Sequence, residues 1–182
     1  ISPEQVKFVQ SIKMHENQVN HISDDLYLFQ RPEMASIAEA VDEALQTFAR
    51  EVMGVVQRLE VTQSWALRNP PGVGMHGHTH SNSVVSGSLY YAPLPERSGN
   101  MIFDRFSHYR QLELAVVQDK TNIYNAPRNA VVPRQGDLVL FSSAIHHYVE
   151  ANQSNQDRHS IAFNTFVRGK IGSFRDVSEL EL

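Results

Sequence analysis

The chain has 182 residues, a net charge of −4, 41% hydrophobic residues, nine histidines and no cysteine. That length and apolar content suit one domain with a proper core. They exclude disulfides, cysteine-based metal sites, iron–sulfur clusters and a thiol nucleophile, argue against the basic face of a nucleic-acid binder, and leave no run near the roughly 20 apolar residues of a membrane span, so a cytoplasmic protein is expected.

In chain order, Ser2-Pro3-Glu4-Gln5 reads as a helix start: Ser at the cap, Pro at the first position and Gln three residues after the cap. Val6, Val9 and Ile12 follow at helical spacing. After Pro32, apolar residues recur at Met34, Ile37, Val41, Leu45, Phe48, Val52, Val56 and Leu59, opposite Glu39, Asp42, Glu43 and Arg50. These steps of three and four predict one long amphipathic helix against the outside of a sheet. From about residue 61 the segments become short, β-branched and aromatic, with Pro, Gly and Asn between them. Strands are predicted at Val61–Arg68, Val73–His80, Val84–Tyr91, Asn100–Asp104, Gln111–Val117, Asn129–Val132, Asp137–Phe141, His147–Ala151 and Arg158–Arg168. Eight or nine short strands after a helical preamble predict a mainly β protein, an antiparallel sandwich or jelly roll. We read residues 1–182 as a single domain: a helical preamble (1–60), a strand-rich core (61–168) and a C-terminal tail (169–182).

Nine histidines in 182 residues give about a quarter of a histidine per five-residue window, yet His76-Gly77-His78-Thr79-His80 holds three. In a strand, residues i and i+2 share a face about 7 Å apart, so His78 and His80 can converge on one ion, and His76 shares their parity. Without cysteine, such a cluster suits iron, zinc, copper or nickel; the plain alternative is a histidine-rich surface loop. Downstream, His146-His147 opens another strand, and a third imidazole from a distant strand would close a three-ligand site with open positions. Arg158-His159-Ser160 opens the last long strand. Parity puts Arg158, Ser160, Ala162 and Asn164 on one face and the more apolar His159, Ile161, Phe163 and Thr165 on the other. An arginine inside a barrel needs an anion, either an ordinary Asp or Glu partner or the carboxylate of a small cosubstrate. Ser86, Ser88 and Tyr90 share the polar face of their strand, which we aim inward, while Trp65 is assigned to the core. His15, His21 and His108 read as surface residues.

His78-x-His80, then His147, then ten intervening residues and Arg158-x-Ser160, resembles the iron/2-oxoglutarate-dependent oxygenases. The stretch Ser81–Tyr91, with Ser86-Gly87 and Tyr90-Tyr91, is similar to one branch, the 2OG-Fe(II) oxygenase family of bacteria and phages. Trp65, Ser98-Gly99, Phe141-Ser142-Ser143 and Ile161-Ala162-Phe163-Asn164 fit the same branch, and the likeness spans about residues 61–168. The resemblance implies a double-stranded β-helix, or jelly roll, with helices packed on the outer face of one sheet. It implies Fe(II) held by His78, His80 and His147, and 2-oxoglutarate with its far carboxylate at Arg158 and Ser160. Tyr90 would donate to that carboxylate, and Asn69 and Asn164 would line the same cavity. The implied activity is that of a dioxygenase: dioxygen consumption coupled to decarboxylation of 2-oxoglutarate to succinate, and oxidation, commonly hydroxylation, of a small-molecule or peptidyl substrate.

His80 stands where the superfamily usually has Asp or Glu, so the ligand set would be three neutral imidazoles. Asp104 could instead supply a carboxylate, or His76 and His78 could be the pair. Two rival readings are a cupin-like three-histidine dioxygenase without 2-oxoglutarate and a metal-binding jelly roll without turnover. The loops Asp104–Arg110 and Gln118–Arg128 are expected to rim the mouth.

Overall fold

The computed structural model describes residues 1–104, 116–117, 119–122 and 125–182. In chain order the elements are α1 (Pro3–Ser11), β1 (Met14–Glu16), β2 (His21–Ser23), α2 (Ala35–Thr47), β3 (Arg58–Asn69), β4 (Met75–His78), β5 (Val85–Leu89), β6 (Met101–Asp104), β7 (Arg128–Val131), β8 (Leu138–Ser142), β9 (His147–Val149), β10 (Arg158–Arg168), β11 (Lys170–Ile171) and β12 (Leu180–Glu181).

Strands β3 to β10 alternate between two antiparallel sheets, save that β6 and β7 follow one another in the same sheet. One has the order β1-β2-β3-β10-β5-β8, the other β4-β9-β6-β7. That alternation is the double-stranded β-helix. Of the expected Gln111–Val117 strand only residues 116 and 117 are described; the loop Asp104–Arg110 beyond Asp104, which includes His108, and residues 118, 123 and 124 of Gln118–Arg128 also lie outside the described residues.

Helix α1 starts as its sequence dictates: Ser2 Oγ accepts from the Gln5 N–H while the Gln5 side chain accepts from the Ser2 N–H. The rest of the first sixty residues departs from a helical reading in part. Met14-His15-Glu16 and His21-Ile22-Ser23 pair as a hairpin, and β2 adds to the edge of β3. Helix α2 buries Ile37, Val41 and Leu45, but the stripe does not continue to Leu59. A wide π-type turn at Phe48–Met53 shifts the side-chain phase, and Gly54 at φ 67° ends the helix. Val52 and Val56 therefore point to solvent, at 68% and 95% exposure, and Leu59 is buried as part of β3 instead.

The apolar face of α2 packs, with Leu28, Phe29 and Met34, against Ala66 of β3, Ile161 and Phe163 of β10 and Leu89 of β5. Burial of each such side chain contributes about 1.5–3 kcal/mol. Because strand parity is strict, covering Ile161 and Phe163 on this outer face turns Arg158, Ser160 and Ala162 to the inside. Among the described residues no helix is long and apolar enough to cross a membrane.

Gly87 of β5 lies under the Phe163 ring, where an added Cβ would overlap the ring carbons. Phe163 is fully buried and has no room to yield. Gly87→Ala is expected to cost about 1–3 kcal/mol by overpacking, read as a lowered denaturation midpoint; an unchanged midpoint would show that the outer face can relax.

Candidate metal centre

The second sheet builds the site. Antiparallel pairing of β4 and β9 sets His78 directly opposite His147, with ring centroids 4.4 Å apart. His80 lies beyond the end of β4, not in the strand reaching to residue 80 that was expected. Its backbone N–H donates to the Ser143 carbonyl at 3.0 Å, which folds its ring back to 5.1 Å from both other imidazoles. One ring nitrogen from each of His78, His80 and His147 lies within 4.8 Å of the others.

The other ring nitrogens explain why the remaining three are available. His78 Nδ1 meets the His76 carbonyl at 2.8 Å, His147 Nδ1 the Ile145 carbonyl at 2.9 Å and His80 Nδ1 the Asn164 Oδ1 at 2.6 Å. All three partners are acceptors, so each Nδ1 donates and each Nε2 keeps its lone pair. Burial pushes all three imidazoles below their usual 6.5, His147 to about 4, so they are neutral at pH 7. His80 Nε2 is buried without a hydrogen-bond partner, an arrangement that is costly unless something coordinates it. Three converging imidazole nitrogens with fixed tautomers fit a divalent ion of the Fe(II) type.

The two alternative ligands lie elsewhere. Asp104 Oδ2 is 2.9 Å from His146 Nδ1. The His146 ring in turn occupies the space over Gly77 where a Cβ would stand. His76 is exposed and serves the site through its carbonyl.

The triad opens on a cavity of about 170 Å³, equal to some five or six water volumes at ~30 Å³ each. Trp65, Leu67, Met75, Met101, Phe141 and Val149 give it apolar walls. Trp65, assigned to the core from sequence, is instead a wall, with its ring 6.4 Å from that of His80; strand parity aims it inward beside Ala162. Asn17 and Ile22 of the β1–β2 hairpin also reach the cavity. Two short extended segments around Asn17–Asn20 were the available signal for that hairpin.

Arg158, Ser160 and Tyr90 line the same cavity. Arg158 is 2% exposed. Its Nη2 donates to Tyr90 Oη at 3.1 Å, its guanidinium carbon sits 5.1 Å from the centre of the Tyr90 ring, and its Nε is buried without a partner. Among the described residues no carboxylate pairs with it; the neighbouring Asp157 faces Arg68. Asn69 and Asn164, expected along the cavity, are used otherwise. Asn69 Nδ2 donates to the Gly74 carbonyl at 2.8 Å, bracing the turn before β4, and Asn164 holds His80.

The double-stranded β-helix that carries these three histidines is a fold that solved structures share. The chain superposes on HygX of Streptomyces hygroscopicus, solved with nickel, 2-oxoglutarate and hygromycin B (16% identity, 91% of this chain and 79% of that one, TM-score 0.60). It superposes also on the non-heme α-ketoglutarate-dependent epimerase SnoN of nogalamycin biosynthesis (16% identity, 90% and 70%, TM-score 0.64), and on a prolyl-4-hydroxylase of Pseudomonas putida (16% identity, 91% and 82%, TM-score 0.57). At these identities the likeness is one of fold. No curated protein matches the sequence. Residues 63–164, more than half the chain, match the family described as "Putative 2OG-Fe(II) oxygenase", and the chain belongs to that family. Its cofactors are thereby Fe(II) and 2-oxoglutarate, which agree with the donor set.

Metal-free stability should carry the signature of these imidazoles. Below pH about 6.5 the unfolded chain takes up protons that the folded His147 refuses until about pH 4, so the fold loses stability as pH falls across that window. Denaturation midpoints measured from pH 7.5 to 4 are expected to fall more steeply for the wild type than for His147→Gln. Equal slopes would mean that His147 is not buried as described.

Proposed function

We propose that this protein is an Fe(II)- and 2-oxoglutarate-dependent dioxygenase that hydroxylates a small-molecule or peptidyl substrate, with His78, His80 and His147 as the metal ligands. The observation that carries the cosubstrate is Arg158, a buried guanidinium without a carboxylate partner among the described residues, in the same cavity as the three imidazoles. A buried unpaired charge is expensive, and a dicarboxylate entering the cavity would pair it. The bound Fe(II) would supply the redox chemistry, coupling dioxygen reduction and 2-oxoglutarate decarboxylation to oxidation of the substrate.

The residues of the chain position and shield. Arg158 would take the far carboxylate of 2-oxoglutarate, with the Ser160 hydroxyl beside it. Tyr90 Oη accepts from Arg158 and turns its own proton toward Met101 Sδ at 3.7 Å, a weak acceptor, so that proton is free to turn to a carboxylate oxygen. The Trp65, Phe141, Met101 and Val149 walls would keep water from the reacting groups. A three-histidine dioxygenase that worked without 2-oxoglutarate would leave Arg158 unpaired.

Titrating 2-oxoglutarate into the anaerobic Fe(II) protein is expected to give a visible charge-transfer absorption and, with oxygen, succinate. Arg158→Ala should weaken 2-oxoglutarate binding by about 2–5 kcal/mol, at least ~30-fold, while Fe(II) stays bound; His80→Ala should lose Fe(II). Equal loss of iron from Arg158→Ala, or unchanged cosubstrate affinity, would overturn the assigned role. Substrate turnover under ¹⁸O₂ distinguishes hydroxylation, which retains the label in the product, from an epimerisation, which does not.

A further inference from the structure

Asn164 of β10 lies opposite an irregular point of β3. Its strand partner is Gln63, but the next residue, Thr165, pairs with Val61, so Thr62 is the extra residue of a β-bulge. The Thr62 hydroxyl donates to the Asn164 carbonyl at 3.2 Å. On the other side Thr165 Oγ1 donates to the Val85 carbonyl at 2.7 Å and accepts from the Val85 N–H at 3.2 Å. The amide of Asn164 keeps the inward parity of its strand and meets His80, the residue at the position where a carboxylate is usual.

Asn164 Oδ1 accepts at 2.6 Å from His80 Nδ1 and at 3.0 Å from Ser86 Oγ. Ser86 is fully buried, and its hydroxyl lies 2.8 Å from that of Ser143, whose backbone carbonyl takes the His80 N–H. Main chain and ring of His80 are thus both tied to one buried polar cluster. His78 and His147 differ: each is oriented by a carbonyl two residues before it in the chain. Only His80, of the three, depends for its tautomer on a side chain 84 positions away. Were the amide reversed or removed, Nδ1 could hold the lone pair and Nε2 the proton, and Nε2–H would face the point where the three nitrogens converge.

We propose that Asn164 is a positioning residue that locks His80 in the Nδ1–H tautomer and so makes its Nε2 a metal ligand. This rests on the metal site proposed above, but the tautomer can be read without metal. In the metal-free protein at pH 7.5, ¹⁵N NMR of the His80 ring is expected to show the Nδ1–H form for wild type and a shift toward Nε2–H for Asn164→Leu. Fe(II) affinity should fall about 10–100-fold in Asn164→Leu, and Asn164→Asp, which keeps an acceptor at the same place, should restore both. A folded Asn164→Leu with the wild-type tautomer and affinity would overturn the role. If Asn164→Leu does not fold, Asn164→Asp and Ser86→Ala decide it. The first should keep the Nδ1–H form and the second should weaken its population; no change in Ser86→Ala together with loss of the form in Asn164→Asp would overturn the proposal. A wild type that shows the Nδ1–H form but binds no Fe(II) would refute the metal reading while leaving the orienting contact intact.

Discussion

Everything at this site depends on three imidazoles being held neutral and close together. Close packing of His78, His80 and His147 is tolerable only because burial lowers their proton affinity. Three imidazolium ions at these separations would repel one another strongly. Each ring also spends one nitrogen on a hydrogen bond to an oxygen of the chain, and this directs the other nitrogen. The fold pays for this order with the β4–β9 ladder, which fixes two of the rings, and with the Ser143 carbonyl, which fixes the third.

The second demand is the charge of Arg158. It reaches the cavity because β10 must give its apolar face, Ile161 and Phe163, to the helices. Alternation then sends Arg158 and Ser160 to the other side. Helix α2 therefore has a part in the chemistry although none of its residues lines the cavity. Tyr90 supports the guanidinium with its hydroxyl and its ring but brings no negative charge.

Much of this was legible in the chain. Period-two alternation in Arg158–Arg168 sorted inward from outward residues, and the capping box of α1 followed from Ser2 and Gln5. Other features resisted. The stripe from Met34 to Leu59 looked continuous because the pattern carries no mark of the wide turn at Phe48–Met53, where the ladder of hydrogen bonds slips. The β1–β2 hairpin has three-residue strands, too short for alternation to stand out. Trp65 read as core because apolar character is the same on a cavity wall as in a packed interior.

The sequence by itself determined the inventory: histidines without cysteine, the His78-x-His80 and Arg158-x-Ser160 spacings, and which residues of each strand share a face. These are properties of local geometry, since a strand's parity is set by its own backbone. Only the tertiary structure decided which groups meet. It separated His76 and Asp104 from the triad, left Arg158 without a carboxylate among the described residues, and set Asn164 against His80. Those outcomes depend on registers between strands far apart in the chain, and a register is fixed by packing and pairing partners that no single segment contains.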